Sequence, residues 1–128
     1  MNYLLDTHAL IWFVEGDAKL PQRIRALIAN PANTIWVSHV SVWEITIKTA
    51  LSKIQLSLSL PELEQFLATH NFSVLPTRFP HFEELLRLPF HHDDPFDRLL
   101  IAQAIAEDFT AVTHDRRFKA YPVKLEFF

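Results

Sequence analysis

The chain has 128 residues, 49% hydrophobic and 21% charged, with a formal net charge of −3, which suits one folded domain, 1–128, with one core. No apolar run approaches the ~18 residues of a membrane span, MNYLLD lacks the basic start of a secretory signal, and net acidity counts against a module that binds nucleic acid through its backbone alone. The absence of cysteine and the single glycine, Gly16, exclude disulfides, thiolate zinc sites, cysteine nucleophiles, glycine-rich phosphate loops and nucleophile elbows, and the lack of cysteine fits a reducing cytoplasm.

Tyr3-Leu4-Leu5, ending at Asp6, is a short apolar run of the kind that forms a buried strand. HALIWFV then predicts a helix. Thr34 to Ser38, rich in β-branched and aromatic residues, predicts a second strand. SVWEITIKTAL follows as a helix, with Trp43, Ile47, Ala50 and Leu51 at helical spacing. From Ile54 to Leu60 apolar residues alternate, which predicts extended chain. Pro61 starts a helix carrying Leu63, Phe66 and Leu67. Phe72 to Leu75 is a third strand, and HFEELLRL before Pro89 a further helix. HHDDPFDRLLIAQA opens a longer helix reaching about Asp108. Thr110 to Thr113 is a strand, and VKLEFF a last edge strand. Short apolar strands alternating with helices predict a parallel sheet covered on both faces. Ligands of such sheets bind beyond the carboxyl ends of the strands.

That rule directs attention to four acids. Asp6 ends the first strand, and Asp115 follows the TAVT strand by two residues. Glu44 and Asp97 lie early in the helices after the second strand and after Pro95. Each has a plainer reading as a helix cap or capping-box partner: Asp6 before Thr7, Ser41 with Glu44, Asp94 with Asp97, Asp115 before Arg116. Yet Asp97 shares a helical face with Leu100, Ile101 and Ala104, and Glu44 with Ile47 and Leu51, so both crown core-facing stripes. Two unit charges ~4 Å apart repel by about 4 kcal/mol at an effective dielectric of ~20. A converging set must therefore take up protons, find cations or bind metal. Oxygen ligands without cysteine favour Mg²⁺ or Mn²⁺ over zinc, and such an ion can activate water against a phosphodiester. His91 and His92 precede two aspartates, as in metal phosphohydrolases, but those domains are all-helical. Single histidines at the edge, His8, His39 and His114, fit loop or supporting roles better than ligation. The tryptophans Trp12, Trp36 and Trp43 fit a core better than base-stacking platforms.

In LLDTHALIW, SVWEITIK, DPFDRLLIAQA and VTHDRRF, the positions of Asp6, Glu44, Asp97 and Asp115 resemble the acidic motifs of PIN-domain ribonucleases, and most closely those of VapC-type toxins. The resemblance spans almost the whole chain in order. It implies a three-layer α/β/α sandwich around a parallel sheet, and Mg²⁺- or Mn²⁺-dependent cleavage of RNA. It further implies a homodimer and a small antitoxin covering the acidic pocket. By motif, Asp6 and Asp97 would be the main metal ligands. Asp115 would complete the site directly or through water, and Glu44 would ligate or orient the attacking water. Thr7 and Thr113 match hydroxyls that hydrogen-bond around the carboxylates. Arg116 and Arg117 are candidate phosphate contacts, with ordinary ion pairs as the alternative for them and for Arg98, Lys119 and Lys48. One departure is the turn EDFT before the TAVT strand, where a glycine is expected.

Other acidic magnesium sites fit less well. A receiver-type switch needs an acidic pair after the first strand, and a haloacid-dehalogenase-type phosphatase needs an aspartate where His8 stands. An RNA-processing PIN nuclease without an antitoxin, and a non-catalytic PIN scaffold, share the expected fold.

Overall fold

Five short apolar segments pair side by side, all parallel, in the computed structural model, which describes all of residues 1–128. They are β1 (Asn2–Leu5), β2 (Thr34–Ser38), β3 (Ser73–Leu75), β4 (Thr110–Thr113) and β5 (Lys124–Phe127). The spatial order is β3-β2-β1-β4-β5. Tyr3 lies opposite Ile35 on one side and Thr110 on the other. Helices α1 (Thr7–Glu15) and α2 (Gln22–Ala29) link β1 to β2, and α3 (His39–Ala50) and α4 (Leu60–Thr69) link β2 to β3. The chain then crosses back over β1 through α5 (Phe79–Arg87) and α6 (Pro95–Glu107) to reach β4, and a 3-10 turn (Arg116–Ala120) leads to β5. The reversal opens a crevice between the ends of β1 and β4, where ligands of doubly wound sheets bind.

The period-2 alternation of side chains divides the core into two layers. Tyr3, Leu5, Ile35, Val37 and Val112 face one way and pack with residues of α1, α2 and α4. Leu4 and Ala111 face the other way and pack with Leu100, Ile101 and Ala104 of α6. The architecture is thus the expected α/β/α sandwich. Helix α6 is enclosed on nearly every side, from Arg98 to Ala104. Each fully buried leucine or isoleucine there contributes about 1.5–3 kcal/mol, and truncating Leu100 to alanine would cost about 2–5 kcal/mol.

Several local expectations change. Helix α2 was not anticipated, although Pro21 and the spacing of Ile24, Leu27 and Ile28 mark it; Ile24 and Ile28 are buried. The Ile54–Leu60 stretch joins no strand. Its alternation survives as burial, with Ile54, Leu56 and Leu58 half-buried between exposed neighbours. In α3 the buried residues are Val40, Ser41, Glu44 and Ile45, while Trp43 and Leu51 are exposed. The spacing of Trp43, Ala50 and Leu51 therefore marks the outer side of that helix. Trp12 and Trp36 are half-buried. Where a glycine was expected before β4, Asp108 takes the left-handed conformation (φ 59°) that closes α6; aspartate tolerates it better than most residues. No helix is long and apolar enough to cross a membrane.

Candidate functional site

Asp6 leaves β1 with its backbone N–H still in the sheet ladder, donating to Val112 O at 3.0 Å. Its side chain does cap α1, as the plainer reading held, with Oδ1 accepting from Ala9 N at 2.7 Å. Its other oxygen, Oδ2, accepts from Thr113 Oγ1 at 2.6 Å, across the crevice from β4. Thr113 also accepts the Asp115 N–H at 3.0 Å, so one hydroxyl ties two acids. Burial pushes the Asp6 pKa up; the Thr113 and Ala9 hydrogen bonds oppose that without cancelling it.

Glu44 sits in the second turn of α3, because the helix starts at His39 and its cap is Ser38, whose Oγ accepts from Val40 N. The expected capping box between Ser41 and Glu44 is therefore absent. Glu44 is 2% exposed and held on both oxygens, by Thr7 Oγ1 at 2.6 Å on Oε1 and by Lys48 Nζ on Oε2. Since the Thr7 proton goes to the carboxylate, Ser41 Oγ, 3.0 Å from Thr7, supplies the proton between the two hydroxyls. Partial burial pulls the Lys48 pKa down, but Glu44 more than reverses this and leaves it raised.

Asp97 stands at the third position of α6. Asp94 caps the helix through Oδ1, accepting from Phe96 N at 2.8 Å and Asp97 N at 3.1 Å. In a capping box the Asp97 carboxyl would accept the Asp94 N–H in return. That N–H goes instead to His92 Nδ1 at 3.1 Å, so the Asp97 carboxyl is released from capping. Its Oδ2 lies 2.9 Å from His92 Nε2. Burial, followed by the charges of Asp94, Asp6, Glu44 and Asp115, pushes its pKa up to about 8.

Asp115 caps the 3-10 turn. Arg117 grips it at both oxygens, with Nε 3.1 Å from Oδ1 and Nη2 3.0 Å from Oδ2. His92 Nε2 reaches the same Oδ2 at 2.9 Å. Partial burial raises the Asp115 pKa, and the Arg117 and His92 hydrogen bonds overcome this to leave it lowered.

His92, Asp97 and Asp115 offer atoms within 4.8 Å of one another. Asp6 and Glu44 stand outside that triplet. Asp6 shares a shallow pocket with Asp115, His8, Trp12 and His114, and the charges of Asp6 and Glu44 both reach Asp97. Four carboxylates thus meet two paired cations, Lys48 and Arg117. The donor set is oxygen-rich and negative in excess, which fits a divalent cation such as Mg²⁺ or Mn²⁺. Asp97 would be its natural anchor, since a cation would replace the proton that the carboxyl holds there.

His92 is fully buried and is the residue that sequence reasoning undervalued. Its local signal, H-D-D-P ahead of a capped helix, was visible but pointed to a different fold. Arg98, expected near the acids, points away from them. It is 7% exposed, donates to Pro89 O at 2.8 Å and lies over the Phe90 ring. Arg116 is exposed.

The PIN-domain profile matches residues 3–124. Ribonuclease VapC22 of Mycobacterium tuberculosis (strain ATCC 25618 / H37Rv) is 28% identical over 130 residues, covering 92% of this chain and 90% of that protein. Among solved structures, VapBC2 from Rickettsia felis, bound to a DNA fragment from its promoter, superposes with a TM-score of 0.73 at 24% identity, covering 100% of this chain and 99% of that one. DNA-bound VapBC from Salmonella typhimurium gives 0.69 at 18% identity, covering 99% and 98%. These two likenesses speak to the fold.

Proposed function

The chain belongs to the PIN-domain family, and from that premise we propose that it is a Mg²⁺- or Mn²⁺-dependent endoribonuclease, the toxin of a toxin–antitoxin pair, carried by the one domain 1–128. The name of the related ribonuclease supports the activity, and the VapBC relatives, members of toxin–antitoxin systems, support the pairing. The observation that carries the reading is the convergence of four carboxylates at the crevice between β1 and β4, where burial first and the neighbouring acids second push Asp97 to about 8.

A divalent ion bound there would supply Lewis-acid activation of a phosphodiester oxygen and of water. Asp6 and Asp97 would hold it, with Asp115 completing the set directly or through water. Glu44, oriented by Thr7 and Lys48, would hold the attacking water in line or take its proton. Thr113 would keep Asp6 and Asp115 in register across the crevice. Arg117 would exchange Asp115 for the scissile phosphate, a bidentate partner of the same shape, and Arg116 would meet a flanking phosphate. Water adds to phosphorus, the bond to the ribose 3′ oxygen breaks, and that oxygen leaves with a proton.

For the partners, α5 supplies a surface. Phe79, Phe82 and Leu86 are 84%, 44% and 88% exposed at positions i, i+3 and i+7 of one helix, a stripe that a second copy or a small antitoxin would cover.

The test is direct. Purified protein should cut RNA with Mg²⁺ or Mn²⁺ and stop with EDTA. Growth arrest on expression should be relieved by the small protein encoded beside it. Cleavage unaffected by EDTA would overturn the metal assignment, and growth without arrest would overturn the toxin assignment.

A further inference from the structure

The histidine behind the acids has a tautomer that the backbone dictates. The Asp94 N–H donates to His92 Nδ1 at 3.1 Å, so Nδ1 presents a lone pair and carries no proton. The ring proton therefore sits on Nε2. Nε2–H donates to Asp115 Oδ2 at 2.9 Å, and Asp97 Oδ2 lies 2.9 Å from the same nitrogen, so one ring nitrogen stands between two carboxylates from different elements. We propose that His92 is a positioning residue that holds Asp115 by its Nε2–H and keeps Asp97 against the same nitrogen, and that it does not itself ligate the metal.

The surroundings fix the ring as a support should be fixed. His92 is fully buried, so the ring is confined by packing on every side. Its backbone N–H and that of His91 both donate to the Tyr121 hydroxyl, at 2.9 and 3.0 Å, and that hydroxyl donates to Pro89 O at 2.8 Å. Arg98 anchors the same loop through Pro89 O and Leu88 O. The whole 88–92 loop is thereby pinned to α6 and to the segment after the 3-10 turn. Ligation by Nε2 would require the proton to move to Nδ1 and the Asp94 N–H bond to break, undoing the entry to α6. The ring nitrogen meets Asp97 at Oδ2, which sets how that carboxyl faces Asp115. This arrangement, a hydrogen bond orienting a ligating carboxylate, tunes metal sites without entering them.

The inference rests on the proposed metal site for its purpose, but its tests need no RNA. In the metal-free full-length protein, long-range ¹H–¹⁵N correlation of the His92 ring should show a protonated Nε2 and an unprotonated Nδ1. A proton on Nδ1 would overturn the proposal. In a Mn²⁺ titration followed by electron paramagnetic resonance, His92→Ala and His92→Asn should bind about 10-fold or more weakly. His92→Gln, whose side-chain amide can donate near the Nε2 position, should recover most of that loss. Wild-type affinity in His92→Ala, or a nitrogen directly bonded to Mn²⁺ in the wild type, would contradict it. A protein that gives the expected ring and Mn²⁺ results yet leaves RNA intact would fail the proposed function and keep this inference.

Discussion

The two sides of the crevice hold their acids by different means. On one side Asp6 and Glu44, almost fully buried, each receive a threonine hydroxyl from another element: Thr113 to Asp6 and Thr7 to Glu44. On the other side Asp97 and Asp115 are more open, with side chains 19% and 23% exposed, and lean on one histidine nitrogen. Hydroxyls brace a carboxylate without competing for a cation. The histidine and arginine, by contrast, crowd the oxygens they touch. The braced side thus carries hydroxyls and Lys48, and the clasped side a histidine and an arginine. In the metal-free protein, removing the Asp97 carboxylate should therefore stabilise the fold, and removing a bracing hydroxyl should destabilise it.

The largest effect expected is on catalysis, where both sides should fail alike. Asp6→Asn and Asp97→Asn should each lower RNA cleavage by roughly 10³-fold, several kcal/mol of transition-state stabilisation. Undiminished cleavage by either would remove that residue from the site. Stability should then separate the sides. At pH 8 in EDTA, Asp97→Asn should be more stable than wild type by on the order of 2 kcal/mol in urea unfolding, after discounting for relaxation, because it removes a charge the fold disfavours.

The same imbalance sets a pH dependence. A carboxyl whose pKa is higher folded than unfolded binds its proton more tightly in the folded state. Its contribution is therefore present at acid pH and lost as pH rises from about 4, its unfolded value, through about 8. Asp6, also raised, acts in the same direction. Asp115 is lowered and acts oppositely, its contribution lost as pH falls below about 4. Metal-free protein should thus lose stability between about pH 4 and pH 8, and Mg²⁺ or Mn²⁺ should flatten that slope. A metal-free stability that rises through this window would contradict the assigned electrostatics.

For the bracing hydroxyls the sign reverses. Thr113→Val and Thr7→Val each remove a hydroxyl bonded to a buried carboxylate and should cost about 1.5–3 kcal/mol. Thr113→Val should be the worse of the two, because Thr113 also accepts the Asp115 N–H. Smallest is a change remote from the crevice. Asp108→Ala, at φ 59°, should lose about 1 kcal/mol, whereas Asp108→Gly should not; equal losses in thermal unfolding would show that backbone conformation does not govern this position.

Much of this is legible in the sequence. The strands and the strong helices are carried by local patterns, and the acids at their ends by the rule for parallel sheets. What escaped has physical reasons. Helix α2 is short and mixes arginines among its apolar residues, so its pattern is weak until the sheet offers it a face. In α3 the burial of Glu44 and Ser41 runs against hydrophobicity, because this side of the helix meets the crevice rather than the core. Trp43 and Leu51 therefore suggested the wrong side. His92 could not be weighed because its partners, Asp97 and Asp115, come together only through the crossover that returns the chain to β4. Arg98 looked like a surface cation, while its partners are carbonyls of a loop whose course no local pattern describes.

The proposed divalent-ion site lies among these acids, with His92 behind it. Anomalous diffraction from crystals soaked in Mn²⁺ tests this most directly. The expected result is a peak about 2.0–2.2 Å from carboxylate oxygens of Asp6 and Asp97, with His92 Nε2 still hydrogen-bonded to a carboxylate. A peak bonded to His92 Nε2, or no peak among these acids, would contradict it.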